Sequence, residues 1–177
     1  NLIGLPLSVF QVDSTTEAAV FEMGMDRLGE IHRLAEIVRP DVAIITNIGI
    51  SHLERLGSRE NILKAKAEIC DFMESENTLI INADNDLLSE FRFDQRHRVF
   101  RVGQKVGLEL KLSGLQNLGE KGIKFHLQRG KDGGDFCISS PGIHNGMNAA
   151  LAIAAALCLD VSLDQAASGL TKLTAAD

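Results

Sequence analysis

The 177-residue chain is 45% hydrophobic and 24% charged with three prolines, a composition that excludes a disordered, collagen-like or low-complexity polymer. Its formal net charge of -6 disfavours a nonspecific nucleic-acid binder, which needs a basic stripe, but leaves room for a nucleotide site built on backbone amides. No apolar run approaches the ~20 residues that span a bilayer and no signal peptide opens the chain, so a cytoplasmic protein without a membrane span is expected.

In chain order, the first strong signals are the apolar runs 18–21 and 42–45, β-branched or aromatic enough to be buried strands. Between them Ile31, Leu34, Ala35 and Val38 fall on one helical face over 30–39, and Pro40 and Asp41 end that helix. Strand, helix and strand at this spacing predict a βαβ unit with parallel strands. A second unit follows. Ser58 caps a helix running to about residue 73, and 78–81 is the next buried strand. Residues 86–91 form a short helix and 97–102 a further strand.

From about residue 108 the texture changes. Leu108, Leu110 and Leu112 alternate, then Ile123, Phe125 and Leu127, then Phe136 and Ile138, with glycines between the runs. This predicts an antiparallel meander over about 108–140. An alanine-rich helix follows over 145–159, and Ser162 caps a last helix over 163–170. The fold class is therefore α/β: one domain with a mostly parallel sheet flanked by helices and a small antiparallel appendage. Cys70, Cys137 and Cys158 are odd in number and lack C-x-x-C spacing, so they read as buried thiols in a reducing compartment.

Ligands of open α/β sheets gather at the carboxyl ends of the parallel strands. There the sequence places Glu22 after the first run, Thr46-Asn47-Ile48-Gly49 and His52 after the second, and Asn82, Asp84 and Asp86 after the third. A carboxylate, an imidazole and oxygen donors suit a divalent cation. Taken singly, Glu22 could equally cap a loop or pair with a base, and His52 could be an ordinary loop histidine. Lys66 falls on the inward part of its helix, where a lysine is costly unless neutralised, paired, modified or reaching out to water. Asn145 and Asn148, three apart at a helix start beside His144, offer carboxamides that suit a base edge, although Asn145 could simply be an N-cap. The chain contains neither G-x-x-x-x-G-K-[ST] nor G-x-G-x-x-G.

Five ordered stretches resemble the Mur ligase family, the ATP-dependent amide ligases of peptidoglycan assembly. They are Phe21-Glu22-Met23-Gly24, the run from Thr46 to His52, Ala65-Lys66-Ala67-Glu68-Ile69, the run from Asn82 to Asp86, and the run from Gly142 to Ala149. Within the family, the opening Asn1 to Leu7 and the stretch Gly24 to Ile31 look most like the branch that adds D-alanyl-D-alanine to UDP-N-acetylmuramoyl-tripeptide. The resemblance implies a P-loop-NTPase-like central domain using ATP and Mg²⁺, with Glu22 and His52 as metal ligands. It also implies that Lys66 is carbamylated to an anionic oxygen ligand. Asn145, Asn148 and His144 would face the nucleotide, with Asn82 and Asp84 supporting that pocket, and Asn1 would belong to a substrate loop.

The chain starts at Asn1 without an initiator methionine, and residues 173–177 carry no end signal, so both ends read as boundaries inside a longer polypeptide. The resemblance implies a UDP-sugar domain and the phosphate loop upstream and a further domain downstream. The chain by itself is then expected to be a monomer without ligation activity. Two other readings stay open: a Mur-type ligase adding a different amino acid, and a noncatalytic nucleotide-binding module. A nicotinamide-dependent oxidoreductase is disfavoured by the missing glycine fingerprint.

Overall fold

Six strands form one sheet in strand order β1 to β6 in the computed structural model, which describes residues 1–170. Residues 173–177, read above as a boundary, lie outside the described residues. Strands β1 (Val42–Ile45), β2 (Thr78–Asn82) and β3 (Arg98–Gly103) run parallel. Strand β4 (Leu110–Asn117) joins β3 in parallel through Val102↔Leu110 and Gly103↔Lys111. Strands β5 (Ile123–Arg129) and β6 (Asp132–Ile138) then pair antiparallel. The expected meander is thus the continuation of the same sheet. The helices are α1 (Gly4–Val9), α2 (Glu30–Val38), α3 (Leu53–Leu56), α4 (Arg59–Ala67), α5 (Asp86–Glu90), α6 (His144–Cys158) and α7 (Leu163–Leu170).

Strand alternation divides the apolar residues between two cores, one on each side of the sheet. Ala43, Ile45, Leu79 and Ile81 pack with Ile31 and Leu34 of α2, Ile62 and Leu63 of α4, and Leu88 of α5. Ile80, Phe100, Val102, Leu110 and Leu112 pack with Ala150, Leu151, Ile153 and Ala154 of α6. Alanines and Gly146 let α6 lie close to the sheet: a Cβ on Gly146 would stand 2.4 Å from the Leu115 side chain. The expected α/β class, with helices on both faces, is what the chain adopts.

Local chemistry sets the helix ends. The Ser58 hydroxyl accepts from the Asn61 amide and starts α4 as expected, and Asn85 caps α5 by accepting from the Leu88 amide. Helix α2 stops at Arg39, whose φ of 46° is left-handed, just before Pro40. Helix α4 ends at Ala67 and tightens into a 3-10 turn, Glu68–Cys70, short of residue 73.

Three expectations change. Residues 18–21 form no strand: they lie outside the sheet, and Val20 is 97% exposed. Apolar side chains satisfy one requirement of a strand, but its backbone also needs a neighbour, and no described strand pairs with this segment. The first βαβ unit is therefore β1–α4–β2. Asn145 is not the N-cap of α6, since the helix already includes His144. Cys137 is exposed on the outer face of β6, whereas Cys70 and Cys158 are half-buried, so the thiols are not uniformly buried. All three are free, and burial pushes the Cys70 thiol up to about 12, with the Asp71 charge adding to it. Among the described residues no helix is long and apolar enough to cross a membrane.

Candidate functional site

The parallel strands end at the 46–49 loop, at residues 83–86 and at Gln104, and side chains from separate elements bind these turns together. The 46–49 loop is held from three directions. Lys66 Nζ of α4 donates to the Asn47 carbonyl at 2.7 Å, and Arg59 Nη2 donates to the Ile48 carbonyl at 2.8 Å. Asn85 Nδ2 donates to Asn47 Oδ1 at 2.7 Å and to the Ile48 carbonyl at 3.3 Å. A loop fixed in this way presents its free groups at low conformational cost, which is what a ligand-binding turn requires.

Lys66 is half-buried, and burial lowers the pKa of its amine below the ordinary 10.5. It does not simply reach out to water, because the Asn47 carbonyl receives it. Lys66 and Glu22 line the same cleft of about 780 Å³, together with residues 17–23 on one side and β1 on the other. Glu22 also lines a smaller groove of about 520 Å³ with Asn1, Gly4 and Ser8. Asn1 Oδ1 accepts from the amides of Ile3 and Gly4 at 3.1 and 2.6 Å and so tethers the start of α1.

His52 lies elsewhere on this rim and does not line the large cleft. It precedes α3 with a left-handed φ of 66°, and its Nδ1 is 3.0 Å from Asp26 Oδ1. The other Asp26 oxygen meets Arg55. Among the described residues no group of three or more His, Cys, Asp or Glu is placed to hold a metal ion. A magnesium ion needs few protein ligands beside phosphates and water, so the carboxylate of Glu22 and the imidazole of His52 have the donor chemistry for one, although they do not line the same cleft. The Lys66 amine suits that role only as a carbamate, because a protonated amine repels the cation.

Asn82 and Asp84 close the turn after β2. Asn82 Oδ1 accepts from the Asp84 amide at 3.0 Å, and the Asp84 carboxylate accepts from the Gln104 amide at 2.9 and 3.1 Å. Gly103 allows that approach, since a Cβ there would stand 2.7 Å from Asp84 Oδ1. At the head of α6, Asn145 Nδ2 donates to Ser140 Oγ at 2.9 Å and to the Pro141 carbonyl at 2.7 Å. Asn148 Nδ2 reaches Asn145 Oδ1 at 3.4 Å, so the two carboxamides meet on one side of the helix. His144 stands exposed beside them.

Sequence reasoning assigned no role to Arg59, Asn85, Glu68 or Asp26. The Glu68 carboxylate accepts from the Gly29 amide at 2.8 and 3.0 Å and from the His32 amide at 3.1 Å, capping α2 from the far end of α4. Arg59 holds Asp86 by two bonds of 2.6 and 2.7 Å, and the carboxyl of Asp86 falls from its ordinary 3.8 to about 2. A carboxyl depressed in the folded state stabilises above its unfolded pKa, and that contribution disappears as pH falls through the folded value. The difference in Tm between the wild type and Asp86→Asn is therefore expected to be constant above about pH 5, to shrink below about pH 4 and to close near pH 2. Thermal unfolding followed by circular dichroism reads it, and a difference independent of pH would rule the ion pair out as its source.

A mostly parallel sheet with a helix-covered face on each side, a clamped strand-end loop and a cleft lined by both Glu22 and Lys66 define an open α/β domain with a candidate site at its strand ends. The Mur ligase middle domain family matches residues 1–156, and the chain belongs to that family. It is 38% identical over 173 residues to the UDP-N-acetylmuramoyl-tripeptide–D-alanyl-D-alanine ligase of Bacillus subtilis, covering 98% of this chain and 36% of that protein. A crystal structure of MurF from Acinetobacter baumannii superposes with a TM-score of 0.91 at 30% identity, over 99% of this chain and 38% of that one. MurF ligase from Thermotoga maritima in complex with ADP shares the fold, with a TM-score of 0.71 at 24% identity over 85% of this chain and 34% of that one. The chain thus spans little more than a third of the length of these relatives.

Proposed function

We propose that this chain is the central, ATP-handling domain of a longer cytoplasmic ligase, monomeric in solution, that joins D-alanyl-D-alanine to UDP-N-acetylmuramoyl-tripeptide in peptidoglycan synthesis. The observation that carries the reading is that Glu22 and Lys66 line one cleft, with Lys66 also holding the 46–49 loop. The similarity to ligases named for that reaction along 98% of the chain supports the choice of substrates. In this reading the UDP-sugar domain and phosphate loop precede Asn1, and a further domain follows residue 177.

Glu22, His52 and carbamylated Lys66 would hold Mg²⁺, which when bound neutralises phosphate charge during transfer from ATP. Burial lowers the pKa of Lys66 and so raises the share of neutral amine, whose lone pair attacks the carbon of CO₂; one C=O π pair moves onto oxygen and the nitrogen gives its proton to water, leaving an anionic carbamate. Asn145, Asn148 and His144 would lie against the adenine or ribose. Asn82 and Asp84 support that pocket by fixing the turn after β2. Asn1 belongs with a substrate-facing loop beside Glu22. In the ligation itself no side chain of this domain acts as a nucleophile: the substrate carboxylate attacks the γ-phosphorus of ATP, ADP leaves, and the incoming amine displaces phosphate from the acyl phosphate. The task of the domain is positioning and charge neutralisation.

Phosphate release by the complete ligase tests this. Release from ATP is expected only with Mg²⁺, the muramoyl tripeptide and D-alanyl-D-alanine together. Release with a different amino acid in place of the dipeptide would keep the ligase and overturn the substrate. A folded complete protein that releases none with any such pair would overturn the ligase.

A further inference from the structure

We propose that Asp26 is a positioning residue that fixes the His52 imidazole as the Nδ1–H tautomer and so presents Nε2, with its lone pair, to a divalent cation. The inference rests on the reading of His52 as a magnesium-binding residue. Asp26 Oδ1 lies 3.0 Å from His52 Nδ1, and a carboxylate accepts but cannot donate, so the shared proton belongs to Nδ1. Only Nε2 is then left to act as a ligand, and the carboxylate behind the imidazole also fixes the orientation of the ring.

Three further observations make this arrangement a built one. Arg55 pairs with the second Asp26 oxygen, which leaves the first to His52 and restricts the carboxylate. The Asp26 amide donates to Glu30 Oε2 at 2.7 Å, anchoring the segment to the start of α2. The His52 main chain is fixed separately, since its carbonyl accepts from the amides of Arg55 and Leu56 at 3.1 and 3.0 Å. A non-glycine residue in the left-handed region costs ~1–2 kcal/mol, and here side chain and main chain are both held against that cost. Asp26 also lies four residues after Glu22, so one segment carries an expected cation ligand and the group that orients another. Nothing in the sequence pattern pairs Asp26 with His52, because they are 26 residues apart.

The test has two readouts. In the ¹⁵N-labelled 177-residue chain at pH 8, two-bond proton–nitrogen correlation reports the tautomer of each of the five histidines, and His52→Gln identifies the signal of His52. The wild type is expected to show Nδ1–H, and Asp26→Ala to move His52 to the Nε2–H form preferred in water. The Asp26 side chain is 44% exposed, so the variant should retain the fold, which circular dichroism checks. In the complete ligase with a nonhydrolysable ATP analogue, Asp26→Ala is expected to weaken Mn²⁺ binding about 10–100-fold, with Asp26→Glu recovering part of the loss. An Nε2–H wild type, or a tautomer unchanged in Asp26→Ala, overturns the positioning role alone. A His52→Gln ligase that binds Mn²⁺ as the wild type does overturns the magnesium reading on which that role stands.

Discussion

Replacing Lys66 by Ala in the complete ligase is expected to lower turnover about 10²–10³-fold, the scale on which removal of one fixed electrostatic group acts. The proposed function gives this side chain a second role beside the loop clamp that its hydrogen bond provides. Its Nζ donates to the Asn47 carbonyl at 2.7 Å, and burial lowers its pKa, so a neutral amine able to take up CO₂ is more accessible than for an exposed lysine. Loss of the hydrogen bond alone costs ~1 kcal/mol and would loosen the 46–49 loop. Loss of a carbamate would remove an anionic ligand. Lys66→Arg separates the two, because guanidinium keeps a cationic donor near Asn47 but stays protonated and forms no carbamate. The carbamate reading expects Lys66→Arg to be as inactive as Lys66→Ala, with short-chain carboxylic acids restoring part of the activity of the alanine variant. An active Lys66→Arg enzyme would leave only the clamp. Carbon-13 bicarbonate gives a second readout, a carbamate carbonyl resonance present in the wild type and lost in both variants.

The parts of this fold legible in the sequence are those decided locally. Val42 to Ile45 and the run from Thr78 declare themselves by apolar character, and Ser58 and Pro40 mark a helix start and a helix end. Residues 18–21 carry the same apolar signal, yet form no strand, because pairing depends on a neighbour supplied from elsewhere in the chain. The candidate site divides in the same way. Glu22, Lys66 and the 46–52 stretch stand out as ordered motifs, and Glu22 and Lys66 do line one cleft. The residues that hold the site in shape are invisible to periodicity. Asn85 reaches Asn47 across 38 residues, Arg59 reaches Asp86 across 27, and Glu68 reaches Gly29 across 39. Their one local signal is position: Arg59 follows the N-cap of α4 and Asn85 is the N-cap of α5, where polar side chains are common.

Gly122→Ala is expected to destabilise the chain by about 3 kcal/mol or more, well beyond an ordinary glycine substitution. Gly122 joins the turn after β4 to β5 with φ 94° and ψ -145°, a region that residues with a Cβ essentially never occupy. Its added Cβ would fall 1.8 Å from the Ile138 carbonyl oxygen and 2.9 Å from the Ser139 Cα. Both obstacles are backbone, so no side-chain rotation relieves them. The strands must separate at Ile123↔Ile138, where Ile123 is fully buried and Ile138 nearly so. Gly130→Ala is the internal control. Gly130 has φ 60° with nothing within 4 Å of the added Cβ, so it should cost only the left-handed backbone penalty of ~1–2 kcal/mol. With no tryptophan or tyrosine in the chain, urea unfolding is followed by far-ultraviolet circular dichroism. Equal costs at the two glycines would mean that the β5–β6 edge yields freely and that backbone conformation alone sets the penalty. A larger cost at Gly122 is the expected result and reflects its backbone region together with the close approach of the Ile138 carbonyl on the antiparallel side of the sheet.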